Sequence, residues 1–465
     1  MEQEKRIETP VKELEIDIPE KVRQIISRLE ESGHEAYAVG GCVRDTLLKR
    51  RPQDWDVTTS ASPEEIKGLF SRTIDTGIEH GTVTVRLQKE SFEVTTYRID
   101  GTYSDRRHPD HVEFTKSLKE DLRRRDFTIN AMAYNPTRGL VDCFQGIQDL
   151  REGRIRCVGN PRERLREDAL RILRGIRFAA QLGFQVEAET AFAMKELADT
   201  LREISAERIQ AELVKLVTSP NPQMILKGYE LGITGAILPE FDAMMETEQE
   251  TPHHNCSVGL HTVHSMKNIL PEKSLRLTML LHDIGKPARK TMDESGVAHF
   301  KGHGAVSEKM AEHILKRLKF DNETRQKVTK LIRFHDDRIK AEPLAVRKGM
   351  HRIGKDLFLD YLKVRMADTL AQSSYKREEK LENLRRVQEI YEDIIQKEEC
   401  VSLKELAVSG KDLIAMGMQP GKEMGETLEW MLEQVLEHPQ WNSREKLTEL
   451  AAQRKESFQQ KEDGI

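Results

Sequence analysis

Strand-forming patterns are confined to the first third of this 465-residue chain, and from Pro161 onward the pattern is helical nearly to the end. Residues 36–39 form a short apolar run that ends at two glycines, and residues 82–87 and 92–97 alternate as in a β-hairpin. Because a single core stops growing near ~250 to 300 residues, the chain must divide into domains. We therefore predict an α+β protein with a small mixed α/β head over residues 20–155, followed by three mostly helical regions over residues 156–250, 251–375 and 376–465.

Arginine is concentrated in one segment of a chain that is acidic as a whole. The formal net charge is -5, yet residues 151–177 contain nine arginines, no lysine and four acids. A charge run of this kind is typical of a solvated helix with salt bridges. The use of arginine alone favours contacts with phosphate groups and bases instead, because the guanidinium group offers a planar fork of donors.

The five cysteines are scattered and include no Cys-x-x-Cys pair, which indicates a reducing compartment and no disulfide framework. The N-terminus begins with charged residues, and no run of 18 apolar residues occurs. These features predict a cytoplasmic protein without a signal peptide or a membrane span.

The head contains two short motifs, Gly40-Gly41-x-x-Arg44 and, ten residues later, Asp54-Trp55-Asp56. On a strand, Asp54 and Asp56 point the same way, roughly 6 to 7 Å apart at their Cα atoms, while Trp55 faces the core. Two carboxylates so placed suit hard divalent cations such as Mg²⁺, which prefers a few carboxylates together with waters and phosphate oxygens. The glycine turn lets backbone amides approach a triphosphate, with Arg44 as a charge partner.

Two further motifs follow in order, Arg123-Arg124-Arg125-Asp126-Phe127-Thr128-Ile129-Asn130-Ala131 and then Glu167-Asp168-Ala169-Leu170-Arg171. With these four motifs the chain resembles the class II tRNA nucleotidyltransferases, the CCA-adding enzymes, and their bacterial poly(A) polymerase relatives, over most of residues 30–240. The resemblance implies that Gly41 and Arg44 hold the nucleotide and that Asp54 and Asp56 bind catalytic Mg²⁺. It also implies that Arg125 contacts the triphosphate or the ribose.

In that family, Asp and Arg side chains bind the Watson-Crick edge of the incoming CTP or ATP. The resemblance implies this role for four residues here, Asp168, Arg171, Arg174 and Arg177. Their spacing of three residues places them along one drifting helical stripe, so that they can line one groove. A carboxylate acceptor beside guanidinium donors can read both C and A and disfavour U and G. The alternative interpretation is a ladder of ion pairs on an exposed helix.

Two more features of the head bear on this hypothesis. Glu93, on the second hairpin strand, is either a third carboxylate near the site or a surface residue. The polar loop over residues 100–110 resembles the flexible loop that full CCA-adding members need for the switch to the final A. Its presence argues against an enzyme that adds only CC.

A second group of histidines and aspartates follows in the helical part of the chain, at His261, His282, Asp283, His303, His335 and Asp368. Imidazole and carboxylate ligands on successive helices suit Mn, Fe, Ni, Co or Mg more than structural zinc, which favours cysteine. The adjacent His282-Asp283 pair, followed by Ile-Gly-Lys, resembles the HD-domain metal-dependent phosphohydrolases. That likeness implies a second divalent metal whose principal ligands are His261, His282, Asp283 and Asp368, with His303 and His335 available for another ion.

The remaining histidines of this region, at positions 253, 254, 264 and 299, are assigned no metal role. We interpret the HD domain as a cyclic phosphodiesterase or phosphatase that acts on phosphate-ended substrates. A structural role as a scaffold for tRNA is the alternative.

Together the motifs predict a CCA tRNA nucleotidyltransferase that uses CTP, ATP and Mg²⁺ to add CMP, CMP and AMP to the 3′ end of tRNA. Residues 156–250 then form a neck that binds nucleotide and RNA, and residues 376–465 form a tail that binds tRNA. A poly(A) polymerase is the nearest alternative, although the tail is not basic, and a CC-adding or A-adding specialist is another. From a different class, the chain could be an HD phosphohydrolase with an RNA-binding module, which the intact Asp54 and Asp56 pair disfavours. The sequence does not predict an oligomeric state.

Overall fold

The structure is a computed structural model that describes residues 15–101 and 111–462, with side chains described up to residue 454. The chain divides into two compact units, one ending at Asp242 and the other beginning at Ala243. Within the described ranges, no helix is both long and apolar enough to cross a lipid bilayer. Of the predicted loop over residues 100–110, only Asp100 and Gly101 lie within these ranges.

The first unit begins with a mixed α/β region. Its elements are α1 (Glu20–Glu31), β1 (Ala36–Val39), α2 (Gly41–Leu47), β2 (Asp56–Thr59), α3 (Pro63–Leu69), β3 (Thr73–Gly77), β4 (Thr82–Leu87), β5 (Glu90–Thr96), β6 (Arg98–Asp100), β7 (Val112–Phe114), α4 (Leu118–Arg123), β8 (Met132–Asn135), β9 (Gly139–Asp142), α5 (Gly146–Glu152) and β10 (Arg154–Ile155). Seven strands form one sheet in the order β3-β4-β5-β2-β1-β8-β9. Only β2 and β5 are parallel neighbours in this sheet.

Local sequence explains most of these elements. The apolar stripe of α1 is fully buried, because its members recur at helical spacing on one face: Val22, Ile25, Ile26 and Leu29. Helix α3 begins with a capping box between Ser62 and Glu65. The predicted hairpin is confirmed as β4 and β5, joined by a two-residue turn in which Gln88 has a left-handed φ of 58°.

The strand that carries the paired aspartates is shorter than predicted. Strand β2 begins at Asp56, so Asp54 lies in the segment before the strand. The reason is the length of the neighbouring strand: β1 ends at Val39, which pairs with Asp56, and Gly40 then turns away. Trp55 is therefore only half-buried, whereas Val57 is fully buried.

The rest of the first unit is helical, as predicted, with one short strand. Its elements are α6 (Pro161–Glu167), α7 (Leu170–Leu182), β11 (Gln185–Val186), α8 (Ala188–Leu197), α9 (Ala206–Val217), α10 (Ile225–Glu230), α11 (Ile233–Ile237) and α12 (Pro239–Met245), which contains the division between the units. Asn160 caps α6, and Gly183 ends α7 with a left-handed φ of 73°.

The second unit is almost entirely helical. Its elements are α13 (Val258–Lys267), α14 (Lys273–Leu281), β12 (Thr291–Met292), β13 (Ala298–His299), α15 (His303–Arg317), α16 (Asn322–Phe334), α17 (Pro343–Ile353), α18 (Phe358–Ala371), α19 (Arg377–Gln396), α20 (Gly410–Ala415), α21 (Lys422–Glu437) and α22 (Arg444–Glu462). The predicted α+β class, with strands in the head and helices after it, is confirmed.

Candidate active site

The first part of the site is the turn that joins β1 to α2. Gly40 has φ 82° and ψ −129°, and a Cβ atom at this position would lie 2.9 Å from Nη1 of Arg125. Glycine is therefore required at position 40 by both backbone conformation and close approach. At Gly41 a Cβ would meet Arg44 at an ordinary 3.6 Å, so Gly41 is not required by packing in this structure.

Three carboxylates lie beside this turn, and we call Asp54, Asp56 and Glu93 the acidic cluster. Val57 pairs with Val94 in the parallel ladder, so the residues before them, Asp56 and Glu93, project from the same face of the sheet. All three carboxylates of the acidic cluster belong to exposed residues. Partial withdrawal from water, and then the charge of Glu93, raise the pKa of Asp56 to about 6, and Asp54 adds to this effect.

Arg125 is a cation whose charge acts on the acidic cluster, since it lowers the pKa of Asp56. Its Nη2 atom lies 3.5 Å from Asp121, and its buried Nε atom has no hydrogen-bond partner within the described residues. Asp121 is fully buried and also accepts hydrogen bonds from Thr58, at 3.1 Å, and Arg124, at 2.9 Å. Burial opposes its charge, but Arg124 and Arg125 hold the pKa of Asp121 below its usual range.

A chain of hydrogen bonds runs from the glycine turn to helix α7. Arg44 donates to Oδ1 of Asn130 at 2.6 Å, and Asn130 donates to Oδ1 of Asp126 at 3.0 Å. Arg174 donates twice to Oδ2 of Asp126, at 2.8 and 2.6 Å. The guanidinium groups of Arg44 and Arg174 both lie over the ring of Phe178, at 5.0 and 5.5 Å from its centroid. Burial works against the charge of Asp126, yet Arg174 and Asn130 keep its pKa below the usual range.

The predicted four-residue stripe is wrong in one respect, because Asp168 precedes α7 and does not belong to it. Its Oδ1 atom accepts a hydrogen bond from the backbone amide of Leu170 at 3.0 Å, and its Oδ2 atom accepts one from Arg208 at 2.7 Å. The carboxylate thus caps the start of α7 and is also fixed by a cation from α9. Asp168 still interacts electrostatically with Arg174, which places both near the same end of α7.

The three arginines of α7 point toward three different acids. Arg171 binds Glu167 at 2.5 Å, Arg174 binds Asp126, and Arg177 binds Glu212 on α9 at 2.8 Å. Arg177 is buried and stacks on Phe178, with 3.5 Å between its Cζ atom and the ring centroid. Arg174 has the most exposed side chain of the three, at 34%. The helix is therefore neither an exposed ladder nor a row of free cations.

The same pairing extends through the whole arginine-rich segment. At least eight of its nine arginines have a carboxylate within 4.0 Å, among them those at positions 154, 156, 162, 164, 166, 171, 174 and 177. Several of these acids lie outside the segment, among them Asp149 and Glu196. The local excess of positive charge that the sequence indicates is therefore partly neutralised by folding.

The second unit brings together all six residues of the second group, which we call the His/Asp cluster: His261, His282, Asp283, His303, His335 and Asp368. Nε2 of His261 lies 2.9 Å from Asp368, and Nε2 of His282 lies 3.3 Å from Asp283. On the other side of Asp283, its Oδ1 atom lies 3.3 Å from Nε2 of His303 and 3.4 Å from Nε2 of His335. Asp283 therefore stands between two sets of histidines.

Three of these imidazoles are oriented in the same way. Nδ1 of His282, His303 and His335 lies 2.7 to 2.9 Å from the carbonyl oxygen three residues earlier in the chain. A hydrogen bond from Nδ1–H fixes the tautomer and leaves the Nε2 lone pair for a ligand. The Nε2 atoms of His303 and His335 are only 3.1 Å apart, and Nε2 of His282 is buried without a hydrogen-bond partner in the described part of the chain. This donor set fits one or two divalent transition metals.

Three family models match the chain: the Poly A polymerase head domain over residues 36–156, the probable RNA and SrmB-binding site of polymerase A over residues 183–245, and the putative tRNA nucleotidyltransferase domain 2 over residues 293–451. Together they cover the head, residues 183–245 and most of the second unit, whereas residues 157–182, which contain α6 and α7, lie outside all three. The three matched segments are therefore similar to domains of tRNA nucleotidyltransferases and poly(A) polymerases.

Curated CCA-adding enzymes are similar to the chain over part of their length. The chain is 52% identical to a CCA-adding enzyme of Levilactobacillus brevis over 204 residues, which are 44% of this chain and 51% of that protein. It is 46% identical to a CCA-adding enzyme of Lactobacillus helveticus over 246 residues, 53% and 62% of the two chains. These matches span about half of the length of the curated relatives.

The fold of the chain is also similar to that of a solved CCA-adding enzyme. The crystal structure of the Bacillus stearothermophilus CCA-adding enzyme in complex with CTP matches with a TM-score of 0.71 and 27% sequence identity. The match covers 95% of this chain and 98% of that chain.

Sequence reasoning missed several residues of this candidate site. Asp121 has a signal, since it lies four residues before Arg125 and so on the same side of a helical turn. Asn130 belongs to the motif over residues 123–131, but the sequence assigned it no role. Arg208 has no local signal, because it lies 40 residues after Asp168 and meets it only in the fold.

Proposed function

We propose that the chain is a CCA-adding tRNA nucleotidyltransferase, which transfers CMP, CMP and AMP from CTP and ATP to the 3′ end of tRNA. The observation that carries this proposal is the acidic cluster beside Arg125 and Gly40, linked through Asn130 and Asp126 to Arg174. One end of this arrangement suits divalent cations and phosphates, and the other suits the edge of a base. The CCA-adding enzymes among the relatives support the same activity.

The donor chemistry of the acidic cluster fits Mg²⁺, which prefers carboxylate oxygens on an open, hydrated surface. Asp54 and Asp56 would hold the ions, and Mg²⁺ bound there would supply Lewis-acid activation of the 3′-hydroxyl and stabilisation of the pyrophosphate. Glu93 is the candidate for a third carboxylate, since its charge acts directly on Asp56. Arg125 offers an unpaired Nε–H next to this position and would bind the triphosphate or the ribose.

The chain's own side chains would then select the base. Asp168, Arg171 and Arg174 combine an acceptor with donors at the start of α7, and their ion pairs with Arg208, Glu167 and Asp126 hold them in one geometry. Arg177 is buried against Glu212, so we assign it a positioning role for α7. Gly41 and Arg44 would line the nucleotide side of the glycine turn.

The product ladder on tRNA lacking its 3′ terminus tests this proposal. With CTP alone we expect two added residues, and with CTP and ATP together we expect three. A long A tract would identify a poly(A) polymerase, and addition that stops at CC or needs a preformed CC end would identify a specialist. Any of these results overturns the proposal of complete CCA addition.

Two finer assignments accompany the proposal. We assign residues 20–155 to the nucleotidyltransferase head, 156–250 to the neck, 251–375 to the HD region and 376–465 to a tRNA-binding tail. A cytoplasmic location is supported by the cysteines, all five of which are free.

The His/Asp cluster supports a second candidate function, that of a metal-dependent phosphohydrolase acting on phosphate-ended substrates. The observation that favours it is the set of Nε2 atoms directed at Asp283 from both sides. A divalent metal held by these side chains would supply an activated water for attack on phosphorus. Hydrolysis of a 2′,3′-cyclic nucleotide with Mn²⁺, Ni²⁺, Co²⁺ or Mg²⁺ by the full chain is the test. Absence of hydrolysis with every metal would leave the cluster a structural role.

A further inference from the structure

Two clefts of the second unit meet next to the His/Asp cluster. The inner cleft, of about 640 Å³, is lined by Asp283, His303, His335 and Asp368. The outer cleft, of about 600 Å³, is lined by Lys340, Tyr375 and Arg386 and continues from the inner one. The clefts share five lining residues, His253, Asp336, Arg338, Gln372 and Lys380. Each volume lies in the range of ~300 to 1,000 Å³ that suits a small ligand.

The outer cleft is rich in cations that the fold does not neutralise. Arg338, Lys340 and Arg386 are exposed, and none of them makes a side-chain hydrogen bond or ion pair within residues 111–454. By contrast, two of the acids that line the cleft are paired with arginines outside it, Asp337 with Arg352 at 2.6 Å and Glu382 with Arg385 at 3.1 Å. Two further acids, Asp336 and Glu379, also line the cleft, so six cationic side chains face four acids there, and the excess of positive charge favours an anionic ligand.

An aromatic side chain stands at the same cleft. Tyr375 is 47% exposed, so part of its ring is available to contact a ligand. One face is near His253, with 5.0 Å between ring centroids, and Lys376 lies 5.7 Å from the ring. Exposed aromatic rings beside cations are typical of surfaces that stack unpaired bases and bind the phosphates between them.

A hydrogen-bonded chain connects the two clefts. Gln372 donates to Oδ2 of Asp368 at 3.1 Å and accepts from Lys380 at 2.6 Å. Nζ of Lys380 also lies 3.2 Å from Nδ1 of His253, the residue beside Tyr375. A ligand in the outer cleft would thus be continuous with one at the His/Asp cluster.

We propose that the outer cleft binds the penultimate nucleotide of a short RNA whose terminal phosphate lies in the inner cleft. The inference rests on the phosphohydrolase proposed above and names its substrate class, an oligoribonucleotide end instead of a free mononucleotide. Tyr375 stacks on the base, and Arg338, Lys340 and Arg386 bind the backbone phosphate.

The test measures binding and hydrolysis separately on the full-length, Mn²⁺-loaded chain. A labelled diribonucleotide with a 3′-phosphate is displaced by unlabelled diribonucleotide or by mononucleoside 3′-phosphate. We expect the dinucleotide to compete about tenfold better than the mononucleotide, because it adds one stacking contact and one phosphate contact. In the double variant Lys340→Gln/Arg386→Gln, we expect the dinucleotide to compete no more than about twofold better than the mononucleotide. The control variant Lys309→Gln changes an exposed residue that lines neither cleft, and it should keep the tenfold advantage of the dinucleotide.

The KM values for cyclic-phosphate-ended mono- and dinucleotides are compared in the same variants. Equal competition by the two ligands with the wild-type chain, or an advantage that survives in Lys340→Gln/Arg386→Gln, would overturn the outer-cleft inference. Length-dependent binding without hydrolysis would overturn the phosphohydrolase and leave the RNA-end site standing. Hydrolysis with equal KM values for the mononucleotide and the dinucleotide would support the phosphohydrolase and overturn the RNA-end site.

Discussion

The two candidate metal centres of this chain are built on opposite principles. The acidic cluster comes from one strand, the loop before it and a neighbouring strand, and all of its residues are exposed. The His/Asp cluster comes from the ends and interiors of five helices, and the side chains of its members are at most 10% exposed. The pKa of Asp56 is raised, whereas the pKa values of Asp283 and Asp368 lie well below the usual range, because their histidine and cationic neighbours outweigh burial.

This difference indicates two ways of holding a cation. An exposed acidic cluster, in which the pKa of one carboxyl group is raised, suits an ion that binds together with phosphate oxygens and leaves with the product. A buried cluster with fixed imidazole tautomers suits a resident ion that is retained between turnovers. We therefore expect weak, substrate-assisted binding at Asp54 and Asp56 and tight binding at the His/Asp cluster.

The largest effect is expected in the acidic cluster. Asp54→Ala or Asp56→Ala should lower the rate of CMP incorporation by on the order of 10³-fold or more, since each would remove a ligand of the proposed catalytic ions. Both residues are exposed, so the circular dichroism melt should be unchanged. The exposed Asp17→Ala serves as a control. Near-normal incorporation by either cluster variant would separate these aspartates from the chemistry.

The second largest effect is expected for the metal that we propose binds at the His/Asp cluster. Asp283→Asn keeps the shape of the side chain but removes the charge that both histidine sets share, and we expect the affinity for Mn²⁺ to fall by about 100-fold or more. Metal content after dialysis, measured by inductively coupled plasma mass spectrometry, checks this. The exposed Asp356→Asn is the matched control. Full metal retention by Asp283→Asn would show that the His/Asp cluster is not the metal site.

The third effect separates a buried carboxylate from the open ones. Asp121→Asn should lower the free energy of unfolding at pH 7 by about 2 kcal/mol, because it leaves Arg124 and Arg125 without their buried partner. The folded-state pKa of Asp121 lies below that of an unfolded aspartate, ~3.9, so its contribution is complete above about pH 4 and is lost as the pH falls further. In urea titrations, the difference in the free energy of unfolding between the wild-type chain and Asp121→Asn should therefore be smaller at pH 3 than at pH 7. A pH-independent difference, or one equal to that of Glu120→Gln, would contradict the assignment.

The smallest effect concerns base selection. Arg174→Lys keeps the charge but loses the two donors that bind Asp126, and we expect the preference for CTP over UTP to fall by about tenfold. Arg162→Lys, on the exposed face of α6, is the control. Single-nucleotide incorporation with each triphosphate measures the ratio of kcat/KM values. An unchanged ratio would place Arg174 outside the base-reading set.

Much of the secondary structure could be predicted from sequence patterns that span only a few residues. The stripe of α1, the capping box of α3 and the β4–β5 hairpin follow from residues a few positions apart, and so they were predictable. The six members of the His/Asp cluster were also named from sequence, through the adjacent His282-Asp283 pair and its resemblance to HD-domain proteins, and the structure brings them together.

Long-range ion pairs were not predictable in the same way. Counting charges within residues 151–177 suggested a free cationic surface, but Asp126, Asp149 and Glu212 reach these arginines from other elements. Likewise, the start of β2 depends on where β1 ends, and the residues around Asp54 do not reveal this. Such features depend on which elements become neighbours, and the local sequence does not encode that choice.

The most direct test of the central claim is anomalous diffraction from crystals of the full chain grown with CTP and Mn²⁺. The account predicts manganese peaks at the carboxylates of Asp54 and Asp56, with the triphosphate beside Arg125 and the cytosine edge at Asp168 and Arg174. It also predicts that omitting CTP removes these peaks but not those at the His/Asp cluster. Manganese only at the His/Asp cluster in the presence of CTP, or a triphosphate bound away from Arg125, would contradict it.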